Sequence, residues 1–383
     1  MRHFDHIDVA RRASLFHVQP GEFDRDGDPD ILAMAMGATL YSPATRPHLA
    51  RDIAKCHRQG VRSMVLCLED SIPDGEVAQA ERNLVAQLQA VSADEAPLLF
   101  VRVREPAQIP DLTRRLGPAA GLLTGFVLPK FEASGGKAYL DALGDATKIS
   151  GFRLLGLPVI ETPEAIYRET RAGVLHDIAR LLAHHRDKVL AVRLGAADLC
   201  SAYGLRRPRD LTIYDIQPVA GLISDVVNVL ARADSTGFVV SGPVWEYFSG
   251  GERLFKPQLR QSPFEENQAG PLRSLLIGTD LDGLIREVTL DKANGLTGKT
   301  VIHPSHVAAV HALMVVTHEE YCDATDILGV EAGGAMASSY SNKMNEAKPH
   351  RAWAERTLRR ARVFGVAAED VGFVDLLTAA VAA

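Results

Sequence analysis

Five times in succession, a short apolar run in this chain breaks off on a charged or small polar step. Met64-Val65-Leu66-Cys67-Leu68 stops on Glu69-Asp70, and Leu98-Leu99-Phe100-Val101 stops on Arg102. Phe126-Val127-Leu128 stops on Pro129-Lys130, the run 154–160 on Glu161, and the run 189–194 enters Gly195-Ala196-Ala197-Asp198. Longer stretches of helical periodicity lie between the runs, with Val77, Ala80, Leu84 and Leu88 marking 74–92 and Ile216, Val219, Leu222, Val226 and Val229 marking 213–233. Short continuous apolar runs read as parallel strands buried on both faces, with crossover helices between them. In such folds the chemistry collects at the C-terminal strand ends, so the charged stops outline a site.

Strands are expected near 38–41, 63–68, 97–103, 124–128, 153–160, 189–195, 237–241 and 299–302. Eight strands, each followed by a helix, over about 280 residues predict an α/β fold of the (β/α)8 TIM-barrel type. Neither GxGxxG nor GxxxxGK[ST] occurs, which argues against a nucleotide-binding doubly wound sheet. Residues 1–30 read as a polar N-terminal arm, 31–316 as the barrel with its eighth helix at 304–316, and 317–383 as a C-terminal helical extension. The turn Pro43-Ala44-Thr45-Arg46-Pro47 leads into a helix that Thr45 is placed to cap. Within the extension, 317–349 reads as a loop-like small-residue stretch, 350–363 as a basic helix and 368–382 as an apolar one. A lid or an oligomer arm is the expected role.

The 383 residues carry a net charge of −6, so the composition does not point to a nucleic-acid or membrane-surface partner. An anionic small-molecule ligand would have to be drawn by local basic residues. No apolar run approaches the roughly 20 residues that span a bilayer, and the polar N-terminus lacks a signal-peptide core, so a soluble cytoplasmic protein is expected. The four cysteines form no CxxC, which favours reduced thiols over a disulfide framework or a zinc site.

Glu161 and Asp198 are the strongest candidate pair, each just past a strand and neighbours at the top of a barrel. Two converging carboxylates repel unless protonated or bridged by a cation, and Mg²⁺ characteristically takes one or two of them. Helix capping is the structural alternative for each. Arg102 occupies a strand position that would by default be apolar, and a buried guanidinium requires carboxylates or anionic ligand oxygens around it. Glu69 and Asp70 can support a metal or pair with Arg102, or else cap the next helix. Lys130 suits an anion contact. Arg206-Arg207-Pro208-Arg209 reads either as a receiver for an anionic ligand tail or as a solvated basic loop.

Seven stretches taken in order resemble the citrate lyase β-subunit/malyl-CoA lyase branch of the HpcH/HpaI aldolase superfamily. They are Leu40-Tyr41-Ser42-Pro43-Ala44-Thr45-Arg46-Pro47, Leu68-Glu69-Asp70-Ser71, Val101-Arg102-Val103, Leu128-Pro129-Lys130, Ile160-Glu161-Thr162-Pro163, Leu194-Gly195-Ala196-Ala197-Asp198-Leu199 and Gly298-Lys299-Thr300-Val301-Ile302-His303-Pro304. The chain looks most like the divergent C–C bond lyase subgroup associated with tellurium-resistance-type gene clusters. The resemblance implies a TIM barrel, a homo-oligomer (trimer or hexamer), and Mg²⁺, or Mn²⁺ in its place, held by Glu161 and Asp198. Catalytic roles would fall to Arg102, facing the oxygen that gains negative charge, and to Glu69 and Asp70. Arg46, Lys130 and the Gly195-Ala196-Ala197 turn would contact substrate, with a coenzyme A thioester as one form of it.

Three departures stand out. Ala44 replaces the family's usual glycine. The lid pattern Asp-Gly-Lys-Met-x-Asp reads Ser341-Asn342-Lys343-Met344-Asn345-Glu346, both aspartates being replaced with Glu346 the one acid nearby. Strand seven ends Val239-Val240-Ser241-Gly242-Pro243 without an acid, which leaves the general base unassigned. The implied activity is Mg²⁺-dependent cleavage or formation of a C–C bond in a β-hydroxyacyl thioester or hydroxy acid. The alternatives are an aldolase acting on a free 2-oxo acid or a phosphorylated sugar-like aldehyde, and a non-catalytic ligand-binding barrel.

Overall fold

A computed structural model describes residues 1–248, 281–330 and 333–383. Strands β1 (Phe16–Val18), β2 (Ala38–Pro43), β3 (Ser63–Cys67), β4 (Leu98–Arg102), β5 (Leu123–Leu128) and β6 (Leu155–Ile160) come first. They are followed by β7 (Val192–Leu194), β8 (Val240–Trp245), β9 (Lys299–Val301), β10 (Ala335–Ala337), β11 (Met344–Glu346) and β12 (Val366–Ala367). Strands β2 to β9 pair in chain order and close into an eight-stranded parallel barrel, β9 returning to β2. This is the expected (β/α)8 architecture. Every residue of β3, β5 and β6 is buried, which is why these strands read as unbroken apolar runs.

The expected helices appear slightly trimmed, at Val77–Leu88, Gln217–Leu230 and Ser305–Met314. Strand β8 is displaced from the expected 237–241. Its register shifts between Gly242 and Val244, where Pro243 lacks a ladder donor. Thr45 is not a helix cap: the helix Leu49–Arg58 starts four residues later, behind His48. Asn83 Nδ2 instead donates to the carbonyls of Ala44 and Arg46 and holds that turn.

The N-terminal arm and the C-terminal extension meet at the end of the barrel where the strands begin. Phe4, Ile7 and Leu15 of the arm are buried, and β1 pairs antiparallel with β12. Gly37, directly before β2, has φ +51°, and a Cβ there would meet His311 at 2.8 Å and Phe364 at 3.3 Å. The His311 ring accepts the N–H of Ala38, the first residue of β2. Within its own chain, the extension is therefore a plug under the barrel and not a lid over the charged strand ends.

The stretch 317–349 is more ordered than its small residues imply. It contains the helix His318–Gly329, opened by a capping box between Thr317 and Glu320, followed by the β10–β11 hairpin. The lid-like residues form the tip of that hairpin and its return strand. Asn345 Nδ2 and Ser338 Oγ both donate to Asp323 Oδ1 at 2.7 Å, and Lys343 pairs with Asp323 Oδ2 at 2.7 Å.

A second buried polar assembly ties the helix Leu281–Ala293 to the barrel. Lys299 Nζ lies 2.6 Å from Glu287 and 2.7 Å from Asp291, all three side chains fully buried. Arg207 also pairs with Glu287 and lies over the Trp245 ring. Within the basic segment 206–209, Arg207 is thus neither solvated nor an anion receiver, its charge being consumed inside the fold, while Arg206 is exposed. Arg209 lies 5.4 Å from the Tyr247 ring centroid.

Candidate active site

All five charged stops converge, the third through Lys130. Arg102 ends β4 and points inward, with its side chain 11% exposed. Its Nη2 lies 2.7 Å from Glu69, 3.2 Å from Asp70 and 3.1 Å from Glu161 Oε1. The sequence offered Glu69 or Asp70 as a partner of Arg102; both pair with it, and Glu161 is a third. Arg104, two residues on, turns to the rim and donates to the carbonyls of Leu68, Glu69 and Ile72. It thereby fixes the loop that presents Glu69 and Asp70.

Lys130 is more central than its sequence context implies. Its Nζ donates to Glu69 Oε1 at 3.0 Å, and its backbone N–H donates to Glu161 Oε1 at 2.9 Å. Burial opposes ionisation of Glu69, but the hydrogen bond from Asp70 and the charges of Arg102 and Lys130 outweigh it and hold the carboxyl low. Burial and the adjoining Glu69 push Asp70 the other way, up to about 6. The pair therefore comprises one firmly ionised carboxylate and one that titrates close to neutrality.

Glu161 is oriented but only half used. Both Arg102 and the Lys130 N–H address Oε1, while Oε2 is buried without a partner. Burial, joined by the charges of Asp198 and Glu69, pushes the carboxyl up to about 7 against the pull of Arg102 and the Lys130 N–H. Oε2 faces the turn after β7. A Cβ at Gly195 would collide with it, so only glycine lets the carboxylate lie against this backbone. Ala196 opens the short helix Ala196–Ser201, Ala197 is exposed, and half-buried Asp198 sits in its first turn. Neither Glu161 nor Asp198 is a helix cap: Thr162 is the N-cap residue after Glu161, Asp198 lies inside the helix Ala196–Ser201, and Thr212 caps the next helical turn. The two carboxylates do not face each other bare, because Arg102 is inserted beside Glu161.

This donor set fits a hard divalent cation. It offers an orphaned, buried carboxylate oxygen, a second carboxylate nearby, and no sulfur or imidazole in the pair. Among the described residues no cluster of three or more His, Cys, Asp or Glu is gathered for a metal, so most of the coordination would come from water and substrate. Mg²⁺ accepts that arrangement readily.

Arg46 is not in this cluster. It pairs with Asp52 and lines an adjoining groove of about 290 Å³ between the end of β2 and the helix Leu49–Arg58, with Lys55, Tyr41 and His303. Arg193 went unnoticed in the sequence, hidden in the apolar run 189–194. Its side chain is inside the barrel, 2% exposed, bonded to Thr300 and lying 5.2 Å from the centroid of the Tyr41 ring. Its Nη1 has no partner, and burial lowers its pKa. A cation inside a strand is the signal that would have revealed it.

Among solved structures, the fold is similar to protein CitE from Mycobacterium tuberculosis in complex with magnesium, acetoacetate and coenzyme A. That match has 21% identity and a TM-score of 0.54, covering 86% of this chain and 99% of the other. It is also similar to a citrate lyase from Burkholderia xenovorans LB400, with 17% identity and a TM-score of 0.60, covering 89% and 96%. Among curated proteins none matches the sequence. Residues 30–366 match the family described as C–C bond lyase of the TIM-barrel fold, a range that spans the barrel and every charged stop. The chain belongs to the C–C bond lyase family and is a carbon–carbon lyase enzyme.

Proposed function

We propose that the chain cleaves, or in reverse forms, a C–C bond in a β-hydroxyacyl thioester or hydroxy acid, with Mg²⁺ as its cofactor and an anionic small molecule as substrate. The observation that carries this reading is the division of labour at Glu161, whose Oε1 is saturated by Arg102 and Lys130 while Oε2 is buried and unused. Glu161 and Asp198 would hold the cation. When bound, Mg²⁺ supplies Lewis-acid stabilisation of the enolate oxygen. Arg102 provides a fixed positive charge where negative charge develops on the substrate, preorganised by Glu69 and Asp70. Lys130 locks Glu69 in place and, with the Gly195-Ala196-Ala197 turn, forms the substrate-facing rim. Asp70, half-exposed and titrating near neutrality beside Arg102, is placed to exchange a proton with substrate.

The Arg46 groove would receive the remote anionic part of the substrate, in keeping with a thioester carrier. The CitE structure that contains magnesium and coenzyme A supports the cofactor and the carrier class for this chain by similarity. Consumption of Arg207 within the fold takes one of three cations from the basic segment that favoured a phosphorylated aldehyde. The replaced lid acids are the feature that most favours the competing reading of a non-catalytic ligand-binding barrel. The test is a Mg²⁺ titration followed by thermal stability, together with turnover of malyl- and citryl-type thioesters against the matching free acids. A saturable Mg²⁺ shift that Asp198→Ala abolishes is expected. Absence of that shift, or turnover indifferent to Asp198→Ala, overturns the reading.

A further inference from the structure

On the opposite side of the barrel from the charged strand ends lies a cavity of about 450 Å³ that the lyase reading does not use. It opens between the helices Leu281–Ala293 and Arg351–Phe364, next to the start of β9, and Leu313 and Met314 form part of its apolar wall. Three cations and one carboxylate line it: Lys292, Arg356, Arg360 and Glu320. Glu320 is shared, 2.8 Å from Arg360 and 3.6 Å from Lys292. Among the described residues no carboxylate pairs with Arg356, which donates to the Gly295 carbonyl at 2.6 Å and Thr297 Oγ1 at 2.8 Å. The Arg360 Nε is buried without a partner. Burial, and then the charge of Arg360, lowers the pKa of both Lys292 and Arg356, so the cations are crowded as well as partly desolvated. Trp353 stands at the same cavity, 40% exposed, an unusual exposure for so large an apolar surface.

Positive charge in excess of its counter-ions, half-enclosed beside an apolar wall and an open indole face, is costly unless an anion of matching shape offsets it. Phosphate oxygens satisfy clustered Arg and Lys donors, and a flat ring system satisfies the indole. We propose that this cavity is a second ligand site, separate from the reaction centre, for a phosphate monoester carrying a flat aromatic body, of the nucleoside monophosphate class. The phosphate lies among Lys292, Arg356 and Arg360, and the ring lies on Trp353. Because helices from both the barrel and the extension line the cavity, occupancy fastens the extension to the barrel.

The chain has two tryptophans, and Trp245 is fully buried, so a binding-dependent change in indole emission reports Trp353. The experiment titrates the full-length protein with AMP and, separately, with inorganic phosphate, reading fluorescence and calorimetry. AMP is expected to bind saturably and about tenfold or more tighter than phosphate, the margin a stacked base supplies. Lys292→Gln is expected to weaken AMP about tenfold, as loss of one charge-assisted contact does. Trp353→Ala, followed by calorimetry, removes the advantage of AMP over phosphate. Arg46→Gln, in the separate groove, leaves the Trp353 response as it is. The proposal is overturned if the folded wild type shows no saturable response, if AMP and phosphate bind equally, or if Lys292→Gln, with its melting temperature retained, binds AMP like the wild type.

Discussion

The backbone N–H of Lys130 donates to Glu161 Oε1 at 2.9 Å, and it does so from a left-handed φ of +46°. A residue with a Cβ resists that conformation, so strain at one strand end is spent to aim a carboxylate at the next. Side-chain and backbone contributions at this position are separable. Glycine keeps the N–H donor and relieves the strain, whereas alanine keeps both the donor and the strain.

Lys130→Gly is therefore expected to be more stable than Lys130→Ala by about 1 kcal/mol, the ordinary cost of left-handed backbone for an L residue. Both variants lose the contact from Nζ to Glu69. Urea denaturation of the two proteins side by side decides it. Equal midpoints would mean that the φ carries no strain.

Turnover should be more sensitive than folding at the charged centre. Glu161→Gln retains an oxygen acceptor for Arg102 and the Lys130 N–H but removes the charge that Oε2 offers. Arg102→Lys retains charge but loses the planar fork that reaches three carboxylates. Each is expected to lower kcat by about 10²–10³, the range for losing one preorganised electrostatic contact. Melting curves run on the same preparations separate this loss from unfolding.

The plug beneath the barrel makes folding acid-sensitive. His3 and His311 are fully buried with ring centroids 4.4 Å apart. Burial is the main cause that holds both below the ordinary histidine value, His311 at about 3. As pH falls from 7 to 5, the unfolded chain takes up protons that the native rings refuse, so stability falls, by about 2 kcal/mol for His311 alone. The stabilisation is fully present above the unfolded histidine pKa and is lost with acidification towards the native one. His311→Gln should lower stability at pH 7 and flatten its decline towards pH 5, measured by denaturant melts across that interval.

Lys299 sits between two buried acids, and removing it leaves Glu287 and Asp291 short of one counter-charge. Lys299→Met is expected to destabilise by about 3–5 kcal/mol, the cost of breaking a buried ion network on one side. A simultaneous Asp291→Asn should recover part of the loss. A double-mutant cycle by denaturation measures the coupling.

The barrel was legible because its strands are buried on both faces, which leaves a long apolar signature that ends abruptly. The convergence of Glu69, Asp70, Arg102 and Glu161 was legible for the same reason: each charge follows an apolar run, and strand ends in a closed barrel must meet. Lys130 was undervalued because its chief contact uses a backbone N–H, which leaves no mark on residue identity. Arg193 and Arg207 were missed or misread because burial of a guanidinium depends on partners far away in the chain, Thr300 for one and Glu287 for the other. The helix His318–Gly329 was read as loop because the glycines and serines that follow it dominated the stretch, although its capping box, Thr317 with Glu320, was already visible.

The pairing of β1 with β12 also sets an order of events during synthesis. Phe16 finds its partner only when Ala367 has been made, so the floor of the barrel closes only after the segment carrying β12 has left the ribosome. Until then Phe4, Leu15 and the first barrel strand wait without the helices that will cover them. A nascent or prematurely terminated chain exposes that apolar floor, which makes it a natural client for chaperones and proteases.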